Sequence, residues 1–151
     1  MTEIMNKKWF PAVLFCFCFF VCGCELGGFN LAVYYVRKTF ELSNTVNSGF
    51  IAMQSASMLI APILFGKLAN KYPKKNILLL FAILFTCGAL IISFSPNIGV
   101  YALGLIILGI SFSMMTSIGF SFIMDVYPIS NTKINSISQT MFSVGAVTSP
   151  V

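Results

Sequence analysis

Long apolar runs alternate with short polar breaks along the whole chain. A helix that crosses a membrane needs about 20 apolar residues, at roughly 1.5 Å of rise each through some 30 Å of hydrocarbon. Runs of that kind cover residues 9–36, 46–65, 77–94 and 100–124, and a fifth starts near Ile137 and continues to Val151. Lipid offers the backbone no hydrogen-bond partners, and the period-two alternation of a membrane barrel is absent, so each run is expected to be a helix. The breaks read as turns. Ser43 or Asn44 suits the N-cap of the second run, while Pro96 and Asn97 in "SFSPN" and Pro128 in "DVYPISNTK" mark places where helix is disfavoured. The expected fold is all-α and polytopic: a transmembrane helical bundle with four complete helices and part of a fifth, with residues 1–151 forming one membrane unit.

Composition supports that pattern. Of 151 residues, 58% are hydrophobic and 9% are charged, against roughly 25% charged in a soluble domain. The net charge of +5 does not point to nucleic acid, because its basic residues are confined to the breaks instead of covering a folded polar face. Their distribution sets an orientation instead. Lys7 and Lys8 precede the first run, Lys67, Lys71, Lys74 and Lys75 separate the second from the third, and Lys133 separates the fourth from the fifth. All of these fall on one side. The other side holds Arg37 and Lys38, partly offset by Glu41. Basic residues are retained in the cytoplasm, so the N-terminus is expected there.

The break "FGKLANKYPKKN" carries more than charge. Gly66, Leu68, Ala69, Asn70, Lys71, Pro73, Lys74 and Lys75 resemble the loop signature of the major facilitator superfamily, G-x-L-A-D-[RK]-x-G-[RK]-[RK], which joins the second and third helices. Six of its eight defined places match. The departures are Asn70 for the acid and Pro73 for the second glycine. "FSVGAVTSP" is similar to the fifth-helix signature of the same family through Gly145, Ser149 and Pro150, and the stretch around "CGCELGGFNLAVYY" resembles the first helix of fucose-permease-like sugar symporters. Where those symporters carry acids, this chain has Asn30 and Met114.

The resemblance implies a secondary transporter of a bacterial inner membrane, rocking two helical halves around a midplane site, with a small polar solute, sugar-like first, as cargo. It also implies a loop latch that closes on the opposite half. With Asn70 in place of the acid, that latch is uncharged at its centre and less sensitive to salt. Family members have about 12 helices, so the chain reads as the N-terminal portion of such a protein, a fragment or truncated product that needs a C-terminal half to transport.

Chemistry alone singles out Glu25, the one acid inside an apolar run. An ionisable group at that depth costs several kcal/mol unless it is paired, solvated or protonated, so Glu25 is a candidate proton or cation carrier; a neutral glutamic acid bonded to a neighbouring helix is the structural alternative. Asn30, five residues on, lies about 140° round the same helix. Asn30, Tyr34, Gln54, Ser117 and Gln139 are candidate cavity residues, within polar stripes that include Asn47 and Ser57, Ser113, Thr116 and Ser121, and Ser143. The alternative for each is packing between helices. Gly23 and Gly27 form a G-x-x-x-G step, which favours close helix approach.

Cys16, Cys18, Cys22 and Cys24 scatter round a helix and do not converge on one metal, and the chain has no histidine. No metal or other cofactor is expected. Nor do the four acids of the chain, Glu3, Glu25, Glu41 and Asp125, assemble into an acid, base and nucleophile set, so an enzyme is not expected. Three other readings stay open: an efflux antiporter of the same superfamily, a membrane scaffold or partner subunit without transport, and a lipoprotein signal ending before Cys24. The last fits poorly, since a signal should hand over to a polar mature region.

Overall fold

The computed structural model describes the backbone of residues 2–149 and their side chains except those of 2–8, 30, 69 and 70. Six helices follow one another: α1 (Thr2–Thr39), α2 (Asn44–Phe65), α3 (Leu68–Lys71), α4 (Lys74–Ser93), α5 (Ile98–Val126) and α6 (Asn131–Thr148). Among the described residues there is no strand. Four stretches are long and apolar enough to cross a membrane: Trp9–Phe29 within α1, α2, α4 and α5. The protein is therefore an integral membrane protein with an all-α fold.

Local chemistry fixes the ends of the helices. Ser43 caps α2, its hydroxyl accepting from the Val46 N–H at 3.4 Å, and the Asn97 side chain accepts from the Val100 N–H at 3.0 Å to start α5. At the end of α1 the Leu42 N–H reaches back to the Arg37 carbonyl at 3.0 Å, and Glu41 sits in the left-handed region at φ 50°. That is the αL helix stop usually given to glycine.

Three expectations need correction. α1 starts at Thr2, not at residue 9, and runs through Pro11; a proline this near the start removes a single bond, to the carbonyl of residue 7. α6 starts at Asn131, not near Ile137, because Ile134 and Ser138 bury one face of its polar first half. The break after α2 contains a helical turn, α3, where an open turn was expected.

Two compact units are present, residues 33–122 and residues 1–32 with 123–151. In the first, α2, α4 and α5 pack through aromatic and glycine contacts. The rings of Phe50 and Tyr101 meet edge-on at 5.4 Å and those of Phe65 and Phe81 at 6.2 Å. Glycines let backbones close in on both sides of α5: a Cβ on Gly109 would lie 2.8 Å from the Gln54 carbonyl oxygen, and one on Gly104 would lie 2.6 Å from an Ile92 methylene. In the second unit, Trp9 stacks on Tyr127 at 6.1 Å and Ile123 and Ser138 are fully buried.

One bond in the first unit resolves a conflict inside α2. Pro62 lies within that helix and has no N–H, so the carbonyl four residues back, that of Met58, loses its helical donor. The hydroxyl of Ser113 on α5 donates to that carbonyl at 2.7 Å. In lipid no water takes over the task, and side-chain hydroxyls are the usual substitute where a membrane helix carries proline.

Replacing Ser113 by alanine should therefore cost about 1 kcal/mol of stability, the order found for such bonds in membranes. In a Pro62→Ala background the restored helical N–H serves the same carbonyl, and the cost should fall close to nothing. Reversible unfolding in mixed detergent, run on the four members of that double-mutant cycle, checks it; equal costs in both backgrounds refute the pairing.

Candidate functional site

Hydroxyl groups on the polar stripes bond mostly to their own helices. Ser57 donates to the Met53 carbonyl at 2.8 Å, Thr116 to the Phe112 carbonyl at 3.1 Å, Ser138 to the Ile134 carbonyl at 2.9 Å and Ser143 to the Gln139 carbonyl at 3.0 Å. Each is a back-bond to the residue four earlier, which uses the hydroxyl proton within the helix. Ser113 and Ser121 differ. Ser113 serves Met58 as described, and Ser121 accepts from the Lys74 ammonium at 2.6 Å. Both crossings join elements far apart in sequence, and the stripe pattern names these residues without naming their partners.

The candidate cavity residues differ in exposure. Gln54 is buried, 3% exposed, where α2 meets Gly109 of α5. Ser117 is exposed and lies about 80° round α5 from Gly109. Tyr34 is exposed, its ring edge-on to Tyr35 at 5.8 Å, and Gln139 is exposed on α6. Met114 is buried. Asn30, Ala69 and Asn70 lie outside the residues whose side chains are described, as do Lys7 and Lys8, and Pro150 lies outside the described residues altogether.

Glu25 lies in sequence between the two glycines at which α1 meets α6. A Cβ on Gly23 would run into the Phe142 carbonyl oxygen of α6 and come within 3.1 Å of the Ala146 nitrogen; one on Gly27 would run into the Ala146 carbonyl oxygen. From the other side, a Cβ on Gly145 would meet the Phe20 carbonyl oxygen and lie 3.0 Å from the Cys24 nitrogen. The G-x-x-x-G step of α1 and the fifth-helix glycine are thus two halves of one contact. Membrane helices gain little from burying apolar surface against each other, so such backbone approach is what holds them.

Next to it, the Ser138 hydroxyl already donates within α6, so the Cys16 thiol, 3.4 Å away, is the donor of that pair. Gly28 faces Ser149, whose hydroxyl oxygen would lie 2.9 Å from an added Cβ. The glycine face of α1 is thereby committed to α6. Glu25, two residues from either glycine of the step, falls on roughly the opposite side of the helix and is half-buried.

The loop motif is arranged around α3. The Gly66 N–H donates to the Pro62 carbonyl at 2.8 Å, and the Tyr72 N–H donates to the Leu68 carbonyl at 3.0 Å, closing the short helical turn. Pro73 is the N-cap of α4 and offers no side-chain bond to it. Lys71 lies over the Tyr72 ring at 5.7 Å. Lys75 is exposed, and Lys74 is half-buried against α5 through Ser121.

Comparison with known proteins gives a consistent result. A family model described as Major Facilitator Superfamily matches residues 3–151. YwtG of Bacillus subtilis, whose name proposes metabolite transport, is 29% identical over 84% of this chain and 28% of its own length. A glucose transporter of Staphylococcus epidermidis, GlcP, is 23% identical over 82% of this chain and 28% of its own. YfiU of Bacillus subtilis, an uncharacterized transporter of the same type, is 23% identical over 85% of this chain and 24% of its own. The chain spans about a quarter of the length of these relatives. No solved structure gives a significant match.

The crossing of α1 and α6 predicts opposite effects of one substitution at two glycines. Gly145→Ala should destabilise the protein by about 1–3 kcal/mol, since backbone on the facing helix has nowhere to move. Gly49→Ala, where nothing lies within 4 Å of an added Cβ, should stabilise by about 0.4–1 kcal/mol through the unfolded state. Melting temperatures of the two variants in detergent should move in opposite directions.

Proposed function

The chain belongs to the Major Facilitator Superfamily, and from that premise we propose that it is the N-terminal part of a secondary transporter carrying a small polar organic solute, sugar-like first. Transport proceeds by alternating access between this helical half and a C-terminal half. The N-terminus and the α2–α4 loop lie in the cytoplasm of a bacterial cell, as the distribution of lysines favours.

The single observation that carries the mechanism is the division of α1 into two faces. One face, Gly23 and Gly27, is occupied by α6. The other presents Glu25 at membrane depth, where a carboxyl group is retained only for a task or a partner. We assign Glu25 the task of carrying a proton, with its neutral form crossing between the two access states. A sugar-like cargo is supported by uncharged hydrogen-bonding groups along α1, α2, α5 and α6, and by the glucose transporter among the relatives. Within the unit of residues 33–122, Tyr34 and Ser117 are exposed and are the groups we assign to cargo, while Gln54 packs where α2 meets Gly109 of α5; Gln139, exposed on α6, is a separate candidate. With Asn70 at the place of the family's acid, the loop latch works through neutral hydrogen bonds and yields little to salt.

Vesicles containing the complete polypeptide that carries these residues test the assignment. They should accumulate a hexose when the outside is acidified. Glu25→Gln should abolish that accumulation while leaving exchange of labelled for unlabelled sugar within about threefold, because exchange needs no net proton movement. Uptake of no polar solute, with outward movement of apolar cations instead, would favour the efflux reading. Uphill accumulation that survives in Glu25→Gln removes the proton from this residue.

A further inference from the structure

Pro62 divides α2 into two parts that are held differently. Ahead of it, Phe50, Gln54, Ser57 and Ala61 are buried. α5 grips this part through the ring contact of Phe50 with Tyr101 and through Gly109, where an added Cβ would lie 2.8 Å from the Gln54 carbonyl oxygen and 3.0 Å from the Ser57 Cβ. From Pro62 to Asn76, none of the residues whose side chains are described is buried. Burial resumes at Ile77 and Phe81 of α4. Phe65 against Phe81 and Lys74 on Ser121 tie the intervening stretch to α4 and α5. Segments with few buried contacts are those that open at low cost, and proline is where helices bend.

Ser113 stands opposite this boundary with a choice of acceptors. On the same helix, Ser111 and Thr116 donate to the carbonyls four residues back, Ile107 at 2.7 Å and Phe112 at 3.1 Å. The equivalent acceptor for Ser113 is the Gly109 carbonyl, yet its hydroxyl donates across to Met58. Rotation about one side-chain torsion exchanges the two, so the hydroxyl keeps a bond whichever way α2 lies.

The Met58 carbonyl has no such second choice within α2, since Pro62 brings no N–H. Once Ser113 turns away, water is the remaining donor, and hydrocarbon supplies none. Met58 lies about 10 Å from the end of α2 at Phe65, at 1.5 Å per residue. A bend that parts the α3 end of α2 from α5 lets water reach that depth, and a closed end keeps it out.

We propose that Pro62 is a hinge in α2 and Ser113 its catch. Bonded to Met58, the hydroxyl holds α2 along α5; returned to the Gly109 carbonyl, it lets residues 63–72 swing out as water takes over at Met58. The use of that swing in alternating access rests on the transporter reading, while the hinge itself rests on the fold.

Hydrogen–deuterium exchange of the complete polypeptide in lipid nanodiscs, followed peptide by peptide, tests the hinge without any cargo, so its outcome is separate from that of the transport assay. Ser113→Ala should speed exchange of the amides of residues 63–72 about fivefold, the factor expected from one such bond. Residues 46–56, which open only with the whole fold, should stay unexchanged over the same minutes. Ser113→Thr, which keeps the hydroxyl, should behave like the unmodified protein. In Pro62→Ala the restored N–H closes the hinge: residues 63–72 should exchange more slowly, and adding Ser113→Ala should leave that rate unchanged. Unaltered exchange in Ser113→Ala, acceleration that appears only in step with residues 46–56, or equal acceleration in the Pro62→Ala background would each overturn the proposal.

Discussion

A peptide group in hydrocarbon has no solvent to turn to, and that single constraint orders most of what the chain does. It converts each apolar run into helix, and it makes every interruption of a helix a matter of finding one replacement donor or acceptor. Pro62 takes a donor away from the Met58 carbonyl, and Ser113 on another helix returns it. Elsewhere the hydroxyls of Ser57, Thr116, Ser138 and Ser143 fold back onto their own helices. Those hydroxyls thus serve mainly the backbone of their own helices.

How helices attract one another follows from the same solvent. Lipid tails are as apolar as leucine, so burial adds little, and close approach of backbones decides which faces meet. On α1 the face is set by Gly23 and Gly27, on α6 by Gly145 and on α5 by Gly104 and Gly109. These glycines need no unusual backbone angle; what each supplies is the missing Cβ. A consequence reaches Glu25: once Gly23 and Gly27 fix which side of α1 meets α6, the helical period sets residue 25 roughly opposite those two glycines.

Much of this was legible in the residues. The spans within α1, α2, α4 and α5, the Ser43 cap and the turns at Pro96 and Pro128 follow from apolar length and from proline and cap chemistry, both of which act locally. The ends of α1 and α6 were less legible. Both helices continue into polar sequence, at Thr2 and at Asn131, where hydropathy falls while the backbone still gains from helical bonds. Pairings were not legible at all. G-x-x-x-G announces that some helix comes close, but nothing in it names Ala146; a serine stripe announces polarity, but the bond from Ser113 to Met58 joins residues 55 apart and exists because of a proline in the other helix. Gln54 shows the same limit: its amide is at home in a cavity or in a helix contact, and only the position of Gly109 decides where it lies.

The two departures from the family's loop signature act together on its electrostatics. An acid at position 70 would neutralise part of the lysine cluster from within, and a residue with a free N–H at position 73 would give the start of α4 one more donor to offer a partner. With Asn70 and Pro73, neither is available. The loop keeps its basic residues and begins α4 with a stiff turn that receives no side-chain cap. A contact of this loop with another part of the protein would then depend on neutral hydrogen bonding at position 70, which responds weakly to salt, beside lysines of which one, Lys74, already bonds to Ser121 within the fold.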